Sequence, residues 1–153
     1  MPPTLKKLES ASLHNTVCFL GTQIPSAVAD IITDKTVNSL KREFQAGQKS
    51  RAIFENGILI IQGAKELDSS KATEAARQFG ALVWEELQRQ RINSANVLGE
   101  NSVSVALGIA LKDYRFEPYK KEKNPFQVDT IEIEADDNRV KEFLYILRLL
   151  LRT

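Results

Sequence analysis

The chain reads as an α/β domain with a mixed, mostly parallel sheet flanked by helices. Short β-branched runs alternate with longer segments of helical period, the pattern of a sheet covered by helices. Several of the runs are apolar without alternation, as strands buried on both faces are. The 153 residues are 42% hydrophobic and 27% charged, the balance of one ordinary soluble domain with neither the low hydrophobicity of disorder nor a collagen or coiled-coil repeat. A chain of this length buries roughly 68–70% of its unfolded surface, enough for a core without disulfides or a structural metal.

In chain order, residues 1–14 read as a polar N-terminal tail and 15–153 as a single domain. Asn15 to Leu20 is an apolar run closed by Gly21 and predicts a buried strand. Asp34 can cap a helix through Val37, Leu40 and Phe44 that Gly47 would end. Ile53-Phe54, a turn at Asn56-Gly57 and the run Ile58-Leu59-Ile60-Ile61 predict a hairpin, since Asn-Gly favours positive φ. Ser69 or Ser70 can cap a long helix whose stripe is Ala72, Ala75, Ala76, Phe79, Val83 and Leu87, with Glu85, Glu86, Arg89 and Arg91 off it. Asn93 to Leu98 is a further strand, and Val103, Ala106, Leu107, Ala110 and Leu111 define a helix over 102–112 that gives way to a polar segment from Asp113 to Pro125. Ile131 and Ile133 alternate with acids, as in an edge strand with one wet face. Asp136 or Asp137 starts the last helix.

That last helix has a core stripe of Val140, Phe143, Leu144, Leu147, Leu150 and Leu151, and Tyr145, Ile146 and Leu149 fall on other faces. Two readings are open. Scattered surface apolars are normal, whereas a helix apolar nearly all round is expected to be covered by something beyond the domain. The second reading makes Tyr145, Ile146 and Leu149 a partner-docking face.

Self-contained catalysis is hard to find. The single histidine, His14, has no Cys or carboxylate at ligand spacing, so zinc sites and a Ser-His-Asp triad lack their parts. Nucleophile-elbow, Walker and zincin motifs are absent, and Gly63-Ala64-Lys65 supplies one glycine where a phosphate loop needs several. Glu132 and Glu134 share a strand face and offer oxygen ligands to a hard cation, but a solvated face explains them as well. No catalytic, cofactor or metal residue is assigned.

Net charge is +1, so no global field steers DNA or anionic lipid to the chain. One local segment interleaves aromatics with cations: Lys112, Tyr114, Arg115, Phe116, Tyr119, Lys120, Lys121 and Lys123. Lys112, Arg115, Lys120, Lys121 and Lys123 are the candidate contacts for nucleic acid, with stacking aromatics beside them. The alternative is that the aromatics anchor in the core and the lysines stay in water. The lone Cys18 lies in an apolar run and fits a reducing compartment. No run approaches the ~18–20 residues of a membrane span. The cytoplasm is the default location, with a mitochondrial or other organelle location as the alternative.

The same segment carries a family resemblance. Gly108, Tyr114, Arg115, Phe116, Tyr119 and Lys120 stand at the spacing of the Gly-x-x-x-x-x-Tyr-Arg-Phe-x-x-Tyr-Lys stretch of leucyl aminopeptidases, and the chain resembles the N-terminal domain of that family over residues 15–152. Ile58 to Gly63 followed by an Ala-rich helix is similar to the family's glycine-ended strand and helix. Leu107, Lys112 and Ala64 stand where the family has an acid and two further glycines, which marks a divergent member.

The resemblance implies a macro-domain-like three-layer fold with a non-catalytic role. That role is packing on a catalytic aminopeptidase domain or another protein subunit, in an oligomer or larger complex. The two divalent metals and their ligands belong to a catalytic domain that would begin after Arg152, so the chain itself holds no cofactor. The alternative function is a binding module for nucleic acid or an ADP-ribose-like ligand.

Overall fold

A computed structural model describes residues 4–7, 16–20, 25–29, 50–55, 57–63, 72–99, 101–116, 128–134 and 137–151. The expected helix over 34–44, the caps Ser69 and Ser70, His14 and Asp136 lie outside the described residues.

Among the described residues six strands form one sheet: β1 (Thr4–Lys7), β2 (Thr16–Leu20), β3 (Ser50–Glu55), β4 (Ile58–Gly63), β5 (Ser94–Leu98) and β6 (Thr130–Ile133). Their spatial order is β1-β6-β5-β2-β4-β3. Every neighbouring pair is parallel except β3 with β4, so the sheet is mixed and mostly parallel. The helices are α1 (Ser26–Ala29), α2 (Ala72–Gln90), α3 (Ser102–Phe116) and α4 (Asp137–Leu151).

Alternation along the strands sends side chains to two covered faces. On one, Cys18, Leu59, Ile61, Ala95, Val97, Ile131 and Ile133 pack with Phe79 and Val83 of α2, Ala106 and Ile109 of α3, and Phe143 and Leu147 of α4. On the other, Val17, Phe19, Ile60 and Leu98 pack with Val28 of α1. Both faces being apolar is why β2 and β4 read as unbroken hydrophobic runs. Three layers result: the sheet, α2 to α4 on one side, and α1 on the other.

The hairpin is where its Asn-Gly signal puts it. β3 and β4 are in register from Ser50 opposite Gly63 to Glu55 opposite Ile58, with Gly57 at φ +79° in the turn. α2 keeps the expected stripe, with Ala76, Phe79, Val83 and Leu87 buried and Glu85 and Arg89 exposed. It ends in a left-handed cap: Arg91 has φ +54°, its N–H bonds to the Gln88 carbonyl at 3.3 Å, and the Ile92 N–H reaches the Leu87 carbonyl at 3.0 Å.

Three expectations need correction. Residues 4–7, expected in a tail, form β1, in register with β6 from Thr4 opposite Thr130 to Lys7 opposite Ile133. With β1 outside it, β6 is an interior strand rather than an edge, and its alternation reflects which face α3 and α4 cover. The helix expected over 102–112 continues to Phe116, because Asp113 is buried and its carboxyl oxygen accepts bonds from other elements instead of starting a polar loop.

Candidate functional site

The segment that carries the resemblance is the second half of α3. Its placement starts from two glycines. A Cβ on Gly80 of α2 would lie 2.9 Å from the Gly108 Cα and closer still to the Val105 carbonyl oxygen. One on Gly108 would lie 2.9 Å from the Arg77 Cα and closer still to its carbonyl oxygen. The two helices therefore cross backbone against backbone, and Gly108 serves that approach.

One turn further along, the buried Trp84 indole Nε1–H donates to Asp113 Oδ1 at 3.0 Å. The same oxygen accepts the Val128 N–H at 3.3 Å, which ties the return into β6 to the end of α3. Lys112 Nζ lies 6.0 Å from the Trp84 ring centre, at the outer limit of a cation–π contact. Asp113 was not a candidate from sequence. Its partner stands 29 residues upstream, and only the α2–α3 crossing brings them together.

Of the nucleic-acid candidates, Lys112 is half-buried beside Trp84. Tyr114, Arg115 and Phe116 occupy the last turn of α3 as helical backbone. Their side chains, and Tyr119, Lys120, Lys121 and Lys123 entirely, lie outside the described residues. Among the described residues the structure therefore assembles no cationic groove.

The acidic pair on β6 and beyond is split by its environment. Glu132 is half-buried, while Glu134 is exposed and closes the strand end against α3. Its side-chain Oε1 accepts the Gly99 N–H at 3.3 Å, and its backbone carbonyl accepts the Ser102 hydroxyl at 2.9 Å. Glu134 thus fastens β6 to the turn before α3, where Gly99 has φ +98°. Glu86 is paired with Arg89 at 2.6 Å on the exposed side of α2. No group of three or more His, Cys, Asp or Glu gathers at ligating distance among the described residues. Cys18 is fully buried at the centre of the sheet, and burial pushes its thiol from 9.0 up to about 12. It is a small apolar filler there, with no thiolate for chemistry near neutral pH.

The outer face of α4 offers a surface instead. Tyr145 is 63% and Leu149 48% exposed, one turn apart and hence on one stripe. Ile146, expected beside them, packs partly against the main core, which leaves Tyr145 and Leu149 as the outward apolar stripe among the described residues. Lys141, Glu142 and Arg148 are exposed around it. No helix among the described residues is long and apolar enough to cross a membrane.

No family model matches the chain, and no curated protein matches it. Solved structures do. A tomato leucine aminopeptidase mutant aligns with a TM-score of 0.56 at 11% identity, over 97% of this chain and 35% of that one. The alphavirus protein P23pro-zbd aligns with a TM-score of 0.52 at 10% identity, over 97% of this chain and 24% of its own. The chain spans about a third of the tomato enzyme's length and about a quarter of the viral chain's. At these identities the likeness is one of fold.

Proposed function

We propose that the chain acts as a non-catalytic packing module, corresponding to the N-domain of a leucyl aminopeptidase-like protein, and that it docks through the outer face of α4 onto a catalytic aminopeptidase domain or another subunit. The observation that carries this reading is the exposed Tyr145 and Leu149 stripe on α4. Large apolar side chains held one turn apart on a rigid helix, ringed by charge, are the usual anatomy of a protein contact. The fold's likeness to about a third of an aminopeptidase chain supports the kind of partner. Peptide hydrolysis would then be the partner's work, with its two metals supplying activated water and Lewis acidity.

The test is co-expression with a leucyl aminopeptidase from the same source, followed by size-exclusion chromatography with light scattering. The wild-type chain is expected to co-elute with the enzyme. A Tyr145→Lys, Leu149→Glu double variant is expected to elute alone while melting at the wild-type temperature. Equal co-elution of the folded double variant would sink the α4 face as the docking surface. The isolated chain is expected to turn over no leucine anilide when Zn2+ or Mn2+ is supplied.

A further inference from the structure

The two margins of the sheet are built differently. β1 is four residues long and carries Lys6 and Lys7, a short, lysine-bearing edge of the kind that discourages pairing. β3 is six residues long, has no Pro or Lys, and runs beside β4 in unbroken register without a bulge. Among the described residues no strand pairs with its other side. An edge of that length, unpaired among the described residues, presents a row of backbone donors and acceptors to any strand that fits.

Among the described residues the helix layer stops short of this edge. By alternation, Ser50, Ala52 and Phe54 face the side that α2 covers, yet Ala52 is exposed and Phe54 is 52% exposed. Between β3 and α2 lies an open groove of about 430 Å³, lined by Ser50, Ala52, Ile61, Leu82, Glu85, Glu86 and Arg89. Leu82, 38% exposed, forms its apolar wall. Something that brings both a strand and a large apolar side chain would fill what α2 leaves open.

We infer that β3 pairs antiparallel with β3 of a second copy about a two-fold axis at Ile53, joining two six-stranded sheets into one and placing Phe54 of each copy over the other's groove. The sequence Ser50-Arg51-Ala52-Ile53-Phe54-Glu55 is complementary to itself in that arrangement. Because side chains alternate, a two-fold pairing centres on a residue rather than between residues. Centred on Ile53, Arg51 stands opposite Glu55 of the second copy and Ala52 opposite its Phe54, twice over. Opposite charges and a small residue facing a large one both favour direct cross-strand neighbours. Centred on Ala52, Arg51 faces Ile53 and Glu55 is left over. Centred on Phe54, only three residues pair. A parallel arrangement sets Arg51 beside Arg51. The charges choose the register, while Phe54 beside Leu82 and Ile61 supplies most of the attraction, since exposed ion pairs are weak. Glu55 keeps the interaction it has within its own chain, because a carboxylate accepts several donors.

The experiment is sedimentation of the full chain across a hundred-fold concentration range, with thermal melting to confirm that each variant is folded. The wild type is expected to move from monomer to dimer. Phe54→Lys is expected to weaken dimerisation at least tenfold with little change in melting, because half of that side chain is already in water. Arg51→Glu alone and Glu55→Arg alone are each expected to weaken the dimer, and the two together to restore it, a rescue that a merely structural role for either residue would not give. A wild type that stays monomeric throughout overturns the inference. So does a dimer that ignores these changes but dissociates on Tyr145→Lys with Leu149→Glu, which would place self-association on α4. The packing role proposed for α4 is unaffected if the β3 dimer fails, since its test reads a different partner through different residues.

Discussion

Asp113 shows how much a single buried carboxyl can organise. It receives the Trp84 indole N–H at 3.0 Å and the Val128 amide at 3.3 Å, so one side chain joins α2, α3 and the approach to β6. Trp84→Phe keeps most of the ring's apolar surface and removes the indole donor. That change is expected to lower stability by about 1–3 kcal/mol, the cost of leaving a buried acceptor short of a partner. Urea unfolding should show this as a lower midpoint at unchanged slope; an unchanged midpoint would mean the bond contributes nothing.

Cys18 makes a second prediction at the same scale. Its folded-state pKa, about 12, lies above the ordinary 9.0, so the folded chain holds the thiol proton more tightly than the unfolded chain does. Its contribution is complete below pH 9 and is lost as pH rises towards 12, at up to about 1.4 kcal/mol per pH unit. Cys18→Ala should flatten that alkaline decline. A thiol reagent at neutral pH should modify the wild type only as fast as it unfolds. The burial of Cys18 was legible from Val17 and Phe19 beside it. The role of Asp113 was not, because a lone acid after an apolar run gives no sign of a tryptophan arriving from another helix.

At the level of elements, the α2–α3 crossing is the least tolerant feature. Gly108→Ala raises helix propensity by about 1 kcal/mol, yet its methyl group would enter the Arg77 backbone. A net destabilisation of about 1–3 kcal/mol is expected, as for other overpacked cores. A calorimetric melting temperature at or above wild type would contradict the close crossing. Gly108 stood out in sequence through the family resemblance, but the physical reason, backbone approach to α2, needed Gly80 opposite it. Periodicity made α2 and α4 legible, and Asn-Gly made the hairpin legible. β1 was hidden because Thr-Leu-Lys-Lys is short and polar, and its strand conformation depends on β6 more than a hundred residues away. Without β1 beside it, the alternating β6 has the pattern of an edge strand.

Across the whole molecule, alternating strands and helices were enough to give the class and the mixed sheet, because both faces of its central strands are buried. Surfaces were less legible. The apolar excess on α4 was visible as Tyr145, Ile146 and Leu149, but its inward limit at Ile146 required the packing against the core. The open β3 edge was not visible at all, since a hairpin strand looks the same in sequence whether it lies inside a sheet or at its margin. Under the two proposals above, the α4 face would take a partner of another kind and the β3 edge a second copy.

The role of α4 is tested most directly by hydrogen exchange of the chain with and without a leucyl aminopeptidase from the same source. Docking through Tyr145 and Leu149 should slow exchange over residues 141–151, with β3 unchanged at concentrations where the chain is monomeric. Complex formation with no protection on α4, or with protection confined to another face, would contradict it.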